Sequence, residues 1–237
     1  MADWNFSLER GSPAGLRTRT DAMPRTIARR TRRVYDALSG VYPASTYFFH
    51  SKAHECALLH SGIRDGMNVL EIATGSGEMF RRLVEANPQG KTFGLDLSPN
   101  MAARTQAHAR RRFPKATVHC GAVDARHMPF HNAAFDAVVC CYLFELLARD
   151  DIRKTLCEVQ RLLRPGGTFT LVVIGQNVEF FNRVYGVVGK LVPAFWGRQV
   201  ECSVPAMVHE AGLVVERNHF VRQGFYPSRV LVFRKPG

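Results

Sequence analysis

From residue 67 onward the chain alternates short apolar runs with longer stretches of helical spacing. That alternation predicts βαβ units and a parallel sheet buried on both faces. The runs that predict strands are Asn68 to Ala73, Lys91 to Asp96, Ala116 to Cys120, Phe135 to Cys141 and Thr168 to Ile174. Two more, Leu213 to Phe220 and Val230 to Arg234, predict a closing hairpin around Gly224 and Pro227. Between the runs, Pro99 to Arg112 reads as a helix with Ser98 as its N-cap and proline at the first helical position. Ile152, Leu156, Val159 and Leu163 stripe a second helix, from about Asp151 to the terminating Arg164-Pro-Gly-Gly167. The expected fold is α/β, a doubly wound, mostly parallel seven-stranded sheet with a C-terminal antiparallel hairpin.

Ahead of that region the pattern changes twice. Residues 1–23 are polar, with Gly-Ser-Pro-Ala-Gly at 11–15, and read as a flexible basic tail. Residues 24–66 read as an N-terminal helical cap, in which Ile27, Val34, Tyr35 and Leu38 make one face and Arg29, Arg30, Arg32 and Arg33 fall elsewhere. A basic amphipathic helix over residues 24–38 either covers the core or rests on an anionic membrane surface. Within the main domain, residues 67–237, an apolar helical insertion spans about 177–203. Its stripe is Phe181, Val184, Val188 and Leu191, followed by Phe195 and Trp196.

Composition narrows the class. A chain of 237 residues, 46% hydrophobic and 22% charged, has the make-up of a globular protein with one large core. No apolar run approaches the ~20 residues of a spanning helix, and the first residues do not form a secretory signal, so the expected compartment is the cytoplasm. The net charge of +12 invites nucleic acid, an anionic bilayer or an acidic substrate. Part of that charge is local: residues 1–33 hold eight arginines against three acids. The six cysteines lack zinc-finger spacing. His50 and His54 point to one side of a helix while Cys56 and His60 point to another, so no metal site is expected from sequence.

The chemistry begins at Val69-Leu-Glu-Ile-Ala-Thr-Gly-Ser-Gly-Glu78, a buried strand running into a glycine turn. Gly75 and Gly77 permit a sharp turn and close approach to a ligand. Asp96, nineteen residues beyond Gly77 at the end of the next strand, suits ribose hydroxyls. Two residues argue against a dinucleotide. Phe80 stands where the third glycine of that fingerprint would be, and Glu71 lies inside the strand, where a buried carboxylate calls for donors or a cation.

In these segments the sequence resembles the class I S-adenosylmethionine-dependent methyltransferases, over roughly residues 34–174. Glu71-Ile-Ala-Thr-Gly-Ser-Gly77 looks like their first motif and Gly94-Leu-Asp-Leu-Ser-Pro-Asn-Met101 like the second. Val123-Asp-Ala-Arg-His-Met-Pro-Phe130 looks like the third, followed by Phe135-Asp-Ala-Val-Val139 and Leu163-Arg-Pro-Gly-Gly167. The resemblance implies a Rossmann-like methyltransferase fold and S-adenosyl-L-methionine as cofactor. It implies that Ala73, Thr74, Gly75, Ser76 and Gly77 wrap the methionine part and that Asp96 holds the ribose, with Glu71 counted among the cofactor-binding residues for its buried charge. Leu97 would then meet the adenine face, Asp124 and Ala125 the adenine edge, and Cys141 the cofactor floor. Val34-Tyr-Asp-Ala-Leu-Ser-Gly-Val-Tyr42 and the Met-Pro-Phe spacing look most like the ubiquinone and menaquinone C-methyltransferases and their lipid-methylating relatives.

The resemblance makes the sulfonium of the cofactor the electrophile, so a base is needed only if the acceptor must lose a proton. Candidates near the carboxyl ends of the strands are His127, Tyr142 and Glu145. The aromatic insertion, with Tyr47, Phe48 and Phe49, favours an apolar small-molecule or lipid-like acceptor, a quinone precursor or phospholipid headgroup. An RNA methyltransferase is the alternative, from the charge, and a non-catalytic cofactor-binding module is the further one.

Overall fold

A computed structural model describes residues 42–175, 200–224 and 226–237, with side chains from His50. The tail at 1–23, the basic helix at 24–38, the side chains of Tyr47, Phe48 and Phe49 and nearly all of the apolar insertion lie outside the described residues.

The strands are β1 (Asn68–Ile72), β2 (Lys91–Asp96), β3 (Thr117–Ala122), β4 (Phe135–Cys141), β5 (Leu163–Ile174), β6 (Val214–Gln223) and β7 (Tyr226–Arg234). They form one seven-stranded sheet in the order β3-β2-β1-β4-β5-β7-β6. β1 to β5 are parallel, while β7 runs antiparallel to both β5 and β6. The winding reverses between β1 and β4, which pair from Val69↔Ala137 to Ile72↔Cys140. That reversal opens a crevice at the carboxyl ends of the two strands.

Pleating sorts the core residues onto two covered faces. Leu70 and Ile72 of β1, Val138 and Cys140 of β4, and Phe169, Leu171 and Val173 of β5 share one cluster with α4 (Arg149–Leu162) and α5 (Val204–Glu210). Their alternates Val69, Val139 and Val172 pack with Ala53 and Ala57 of α1 (Tyr42–His60) and Met79 and Leu83 of α2 (Glu78–Ala86). The same alternation puts Glu71 on the face of Val69, under α1 and α2. A third cluster of Phe80, Val84, Ala109 and Val118 seats α3 (Pro99–Arg112) beside β3.

Helix ends follow the expected chemistry. Ser98 Oγ accepts from Met101 N at 3.3 Å and Pro99 opens α3, which ends at Arg112 as its periodicity predicts. β5 begins earlier than its apolar run, because Gly166 N donates to Lys235 O and Lys235 N to Gly167 O, extending the ladder with β7 past Arg-Pro-Gly-Gly. β6 and β7 are likewise longer than their apolar runs, since hairpin pairing recruits the polar residues Arg222 and Gln223.

Candidate functional site

The crevice above β1 is built by a strained turn. Ala73, Gly75 and Gly77 have φ of 62°, 49° and 81°, so one alanine holds a left-handed conformation that costs a non-glycine residue about 1–2 kcal/mol. The turn is tied down on both sides. Thr74 N donates to Leu95 O at 3.0 Å and Gly77 N to Thr74 O at 2.8 Å. Gly75 N donates to Asp96 Oδ2 at 2.8 Å, while Ser98 N donates to Asp96 Oδ1 at 2.9 Å. Asp96 therefore fixes the glycine turn and the start of α3 with one carboxylate. α2 then leaves Gly77 with no side-chain cap, so its first amides have no side-chain acceptor from that residue.

Two buried polar atoms here lack partners. Glu71 is 1% exposed and its Oε2 has no hydrogen bond; Thr74 Oγ1, in the turn itself, has none. Burial, and after it the charge of Asp96, raises the Glu71 carboxyl well above its ordinary value. An uncompensated acid of this kind suits a site completed by a cationic ligand. Leu97, 39% exposed, directly follows Asp96 and offers the crevice an open apolar side chain.

On the far side, the loop after β3 is held from α4. Arg161 donates to Phe130 O and Met128 O, and Glu158 Oε2 accepts from Met128 N at 2.7 Å. Asp124 sits in this loop, but its carboxylate faces Arg126. The Arg126 Nε and Nη2 reach Asp124 at 2.9 and 2.6 Å, Arg126 N donates to it at 3.0 Å, and Arg126 Nη1 bonds Asp151. Burial works against the Asp124 charge, yet the Arg126 hydrogen bonds and charge outweigh it and hold the carboxyl below its usual range. Most acceptor capacity of Asp124 is thus used within the protein. Ala125 and Cys141 are partly buried, each packed beside a core cluster, and Ser76 is partly buried in the turn.

The three proton-handling candidates differ in their surroundings. His127 is exposed on the Asp124 loop. Glu145 is 3% exposed in the 3₁₀ turn Phe144–Leu146, with Oε1 accepting from Ile174 N at 2.6 Å and Oε2 unpartnered. Tyr142 extends β4 in a left-handed conformation, φ 56°, with its N donating to Val172 O. Its ring stacks on His50, centroids 4.1 Å apart, with His54 at 6.2 Å and Tyr226 at 6.2 Å, and its hydroxyl pairs with Ser228 Oγ at 2.7 Å. His50 and His54 had no acceptor-side role in the sequence reading, although their i,i+4 spacing announces one shared face. Burial first, then the His54 charge, drops His50 to about 3; burial and then the Arg82 charge drop His54 to about 4. The wall they form is neutral at ordinary pH.

Burial pushes Glu145 up to about 7, against the pull of its backbone hydrogen bonds. A folded-state pKa above the unfolded one means that the native state holds the extra proton, so this residue's contribution is fully present below about 4.5 and is lost as pH rises to about 7. Glu145→Gln keeps an acceptor for Ile174 N and removes the ionisation. Denaturant titrations should show the variant gaining on the wild type from about pH 5 to about pH 8, by up to about 3 kcal/mol. A stability gap that does not change with pH would refute this account of Glu145.

A family model described as a methyltransferase domain matches residues 69–167, from β1 into β5. Demethylmenaquinone methyltransferase of Deinococcus radiodurans is 37% identical over 121 residues, 49% of this chain and 45% of that one, so the chain spans under half the length of that relative. The ubiquinone/menaquinone biosynthesis C-methyltransferase of Desulfotalea psychrophila is 27% identical over 196 residues, 78% of this chain and 74% of that one. Magnesium protoporphyrin IX methyltransferase of Synechocystis, solved with bound S-adenosylhomocysteine, has the same fold, with a TM-score of 0.67 at 16% identity over 86% of this chain and 99% of that one. Over residues 69–167 the chain is thus similar to methyltransferase domains, and it shares their fold.

Proposed function

We propose that the chain transfers a methyl group from S-adenosylmethionine to an apolar small-molecule or lipid-like acceptor of the quinone-precursor kind. The observation that carries the acceptor class is the neutral ring wall of His50, His54, Tyr142 and Tyr226 beyond the carboxyl end of β4. Two curated relatives whose names describe quinone methylation support the same reading. A phospholipid-headgroup acceptor and contact with an anionic membrane through residues 24–38 belong to this proposal; no helix among the described residues is long and apolar enough to cross a membrane.

The residues present fit the cofactor. The turn Ala73 to Gly77 would wrap its methionine part with backbone amides, and Glu71 would meet the positive end from below. Asp96 would take the ribose hydroxyls with the same carboxylate that anchors Gly75. Leu97 and Ala125 would flank the adenine, Asp124 would offer it what acceptor capacity Arg126 leaves, and Cys141 would line the floor. When bound, S-adenosylmethionine supplies a methyl carbon activated by its sulfonium. The protein's work is then alignment, a contribution of up to about 7–11 kcal/mol when reacting atoms are held in line. His50 and His54, kept neutral by burial, exclude water and present ring faces to an uncharged acceptor. Tyr142, pinned by Ser228 and by its strained backbone, would hold an acceptor proton if the reaction requires its removal.

Incubating the protein with an extract and methyl-labelled cofactor, then partitioning the products, tests the proposal. Label is expected in the organic phase, in a species whose mass rises by one methyl. Label confined to nuclease-sensitive aqueous material would establish an RNA acceptor instead, and cofactor binding without transfer would establish a binding module.

A further inference from the structure

The helix that carries the histidines of the ring wall presents a second set of donors on its opposite side. Cys56 and His60 are four residues apart on α1 and so share a face. α1 lies along β6, where Lys52 N donates to Gln223 Oε1 at 2.8 Å, and this packing brings in His219 from β6. One donor atom from each of Cys56, His60 and His219 lies within 4.8 Å of the others, and all three residues are partly buried. The His60 and His219 rings stack at 3.9 Å, inclined by 15°. His219 Nε2 is buried without a hydrogen-bond partner, and the Cys56 thiol is in no disulfide.

One sulfur and two imidazole nitrogens form a donor set for a borderline divalent cation, above all zinc. We propose that Cys56, His60 and His219 bind a single Zn²⁺ that fastens α1 to β6. Metal–ligand bonds of about 2.0–2.3 Å put tetrahedral ligands roughly 3.5 Å apart, so closing the site draws the donors in by about 1 Å and turns the two stacked rings out of parallel until their nitrogen lone pairs converge, leaving a fourth position for water. Binding replaces the thiol proton: the Cys56 S–H bond breaks, an S–Zn bond forms, and the proton goes to solvent. Arg217, whose charge acts on His60, opposes the cation, and the thiolate offsets it. The bound ion would close a loop from α1 to β6 that no covalent bond closes, holding in register the helix that carries His50 and His54.

The test uses the full chain, stripped with a chelator and titrated with Zn²⁺ and with Co²⁺. One ion per chain is expected, with a thiolate-to-cobalt charge-transfer band in the near ultraviolet and a zinc-dependent rise in melting temperature. Since changes that only reorient ligands cost roughly 10–100-fold in affinity, Cys56→Ser and His219→Ala should each weaken zinc binding about 100-fold or more and abolish the melting shift. Undiminished zinc binding by both variants would overturn the proposal. So would a wild-type cobalt spectrum without the thiolate band, a result that needs no variant to fold. Neither outcome bears on methyl transfer, which is measured separately.

Discussion

Replacing Asp96 with alanine should weaken S-adenosylhomocysteine binding by two to four powers of ten, roughly, because two charge-assisted hydrogen bonds of about 1.5–3 kcal/mol each that shape the cofactor site disappear, besides the bond from Ser98 N that holds the start of α3. One is the proposed bond to ribose. The other is the bond from Gly75 N, which at 2.8 Å anchors the turn before any ligand arrives. The expected loss therefore exceeds that of removing a ligand contact alone, since the left-handed turn also loses the acceptor that holds it. Asp96→Asn separates the two parts: its amide oxygen still accepts one backbone donor, while the charge is gone. Calorimetric titration should rank wild type, asparagine and alanine in descending affinity. Equal affinities across the three would remove Asp96 from the site.

Gly94→Val should damage both stability and binding. A Cβ at Gly94 would stand 2.7 Å from Thr74 Cγ2, 2.9 Å from the Phe80 ring and 3.0 Å from Cys120 Sγ. None of the three neighbours is a flexible chain end, and Thr74 and Phe80 are fully packed. Overpacking of this kind costs about 1–3 kcal/mol, or roughly 2–10 °C of melting temperature at this chain length. What relaxes first decides the functional outcome. Thr74 belongs to the turn, so its displacement misplaces Gly75 N relative to Asp96. Scanning calorimetry with and without S-adenosylhomocysteine should show a lower transition and a reduced ligand-induced shift. A normal shift on a lowered transition would mean that Phe80 yields and the turn does not.

The parts of the site written within one segment were legible in the sequence. β1, β4 and β5 appear as apolar runs because each is covered on both faces, and Glu71 stands out as an acid inside such a run. The turn was legible for the same local reason: Gly75 and Gly77 answer to backbone angles that neighbouring residues impose. Asp124 shows where local reading falls short. Its partner Arg126 is only two residues away, a spacing that keeps side chains apart in a helix, and it is the loop conformation that folds the guanidinium back onto the carboxylate. His219 lies beyond any local signal. It meets Cys56 and His60 only because α1 crosses to the hairpin at the other end of the chain. Tyr142 was named for its place after β4, whereas its stacking on His50 follows from that same crossing.

β7 has a further consequence for how the chain is made. It is the last strand in sequence order, yet it sits inside the sheet between β5 and β6, with Val230, Leu231, Val232 and Phe233 almost wholly buried. During synthesis β5 emerges long before the strand that pairs with it, so Phe169, Leu171 and Val173 flank an open strand edge on the ribosome. Until β7 is available that edge is open to pairing with a wrong strand, so correct folding of β5 depends on a segment more than fifty residues further along the chain.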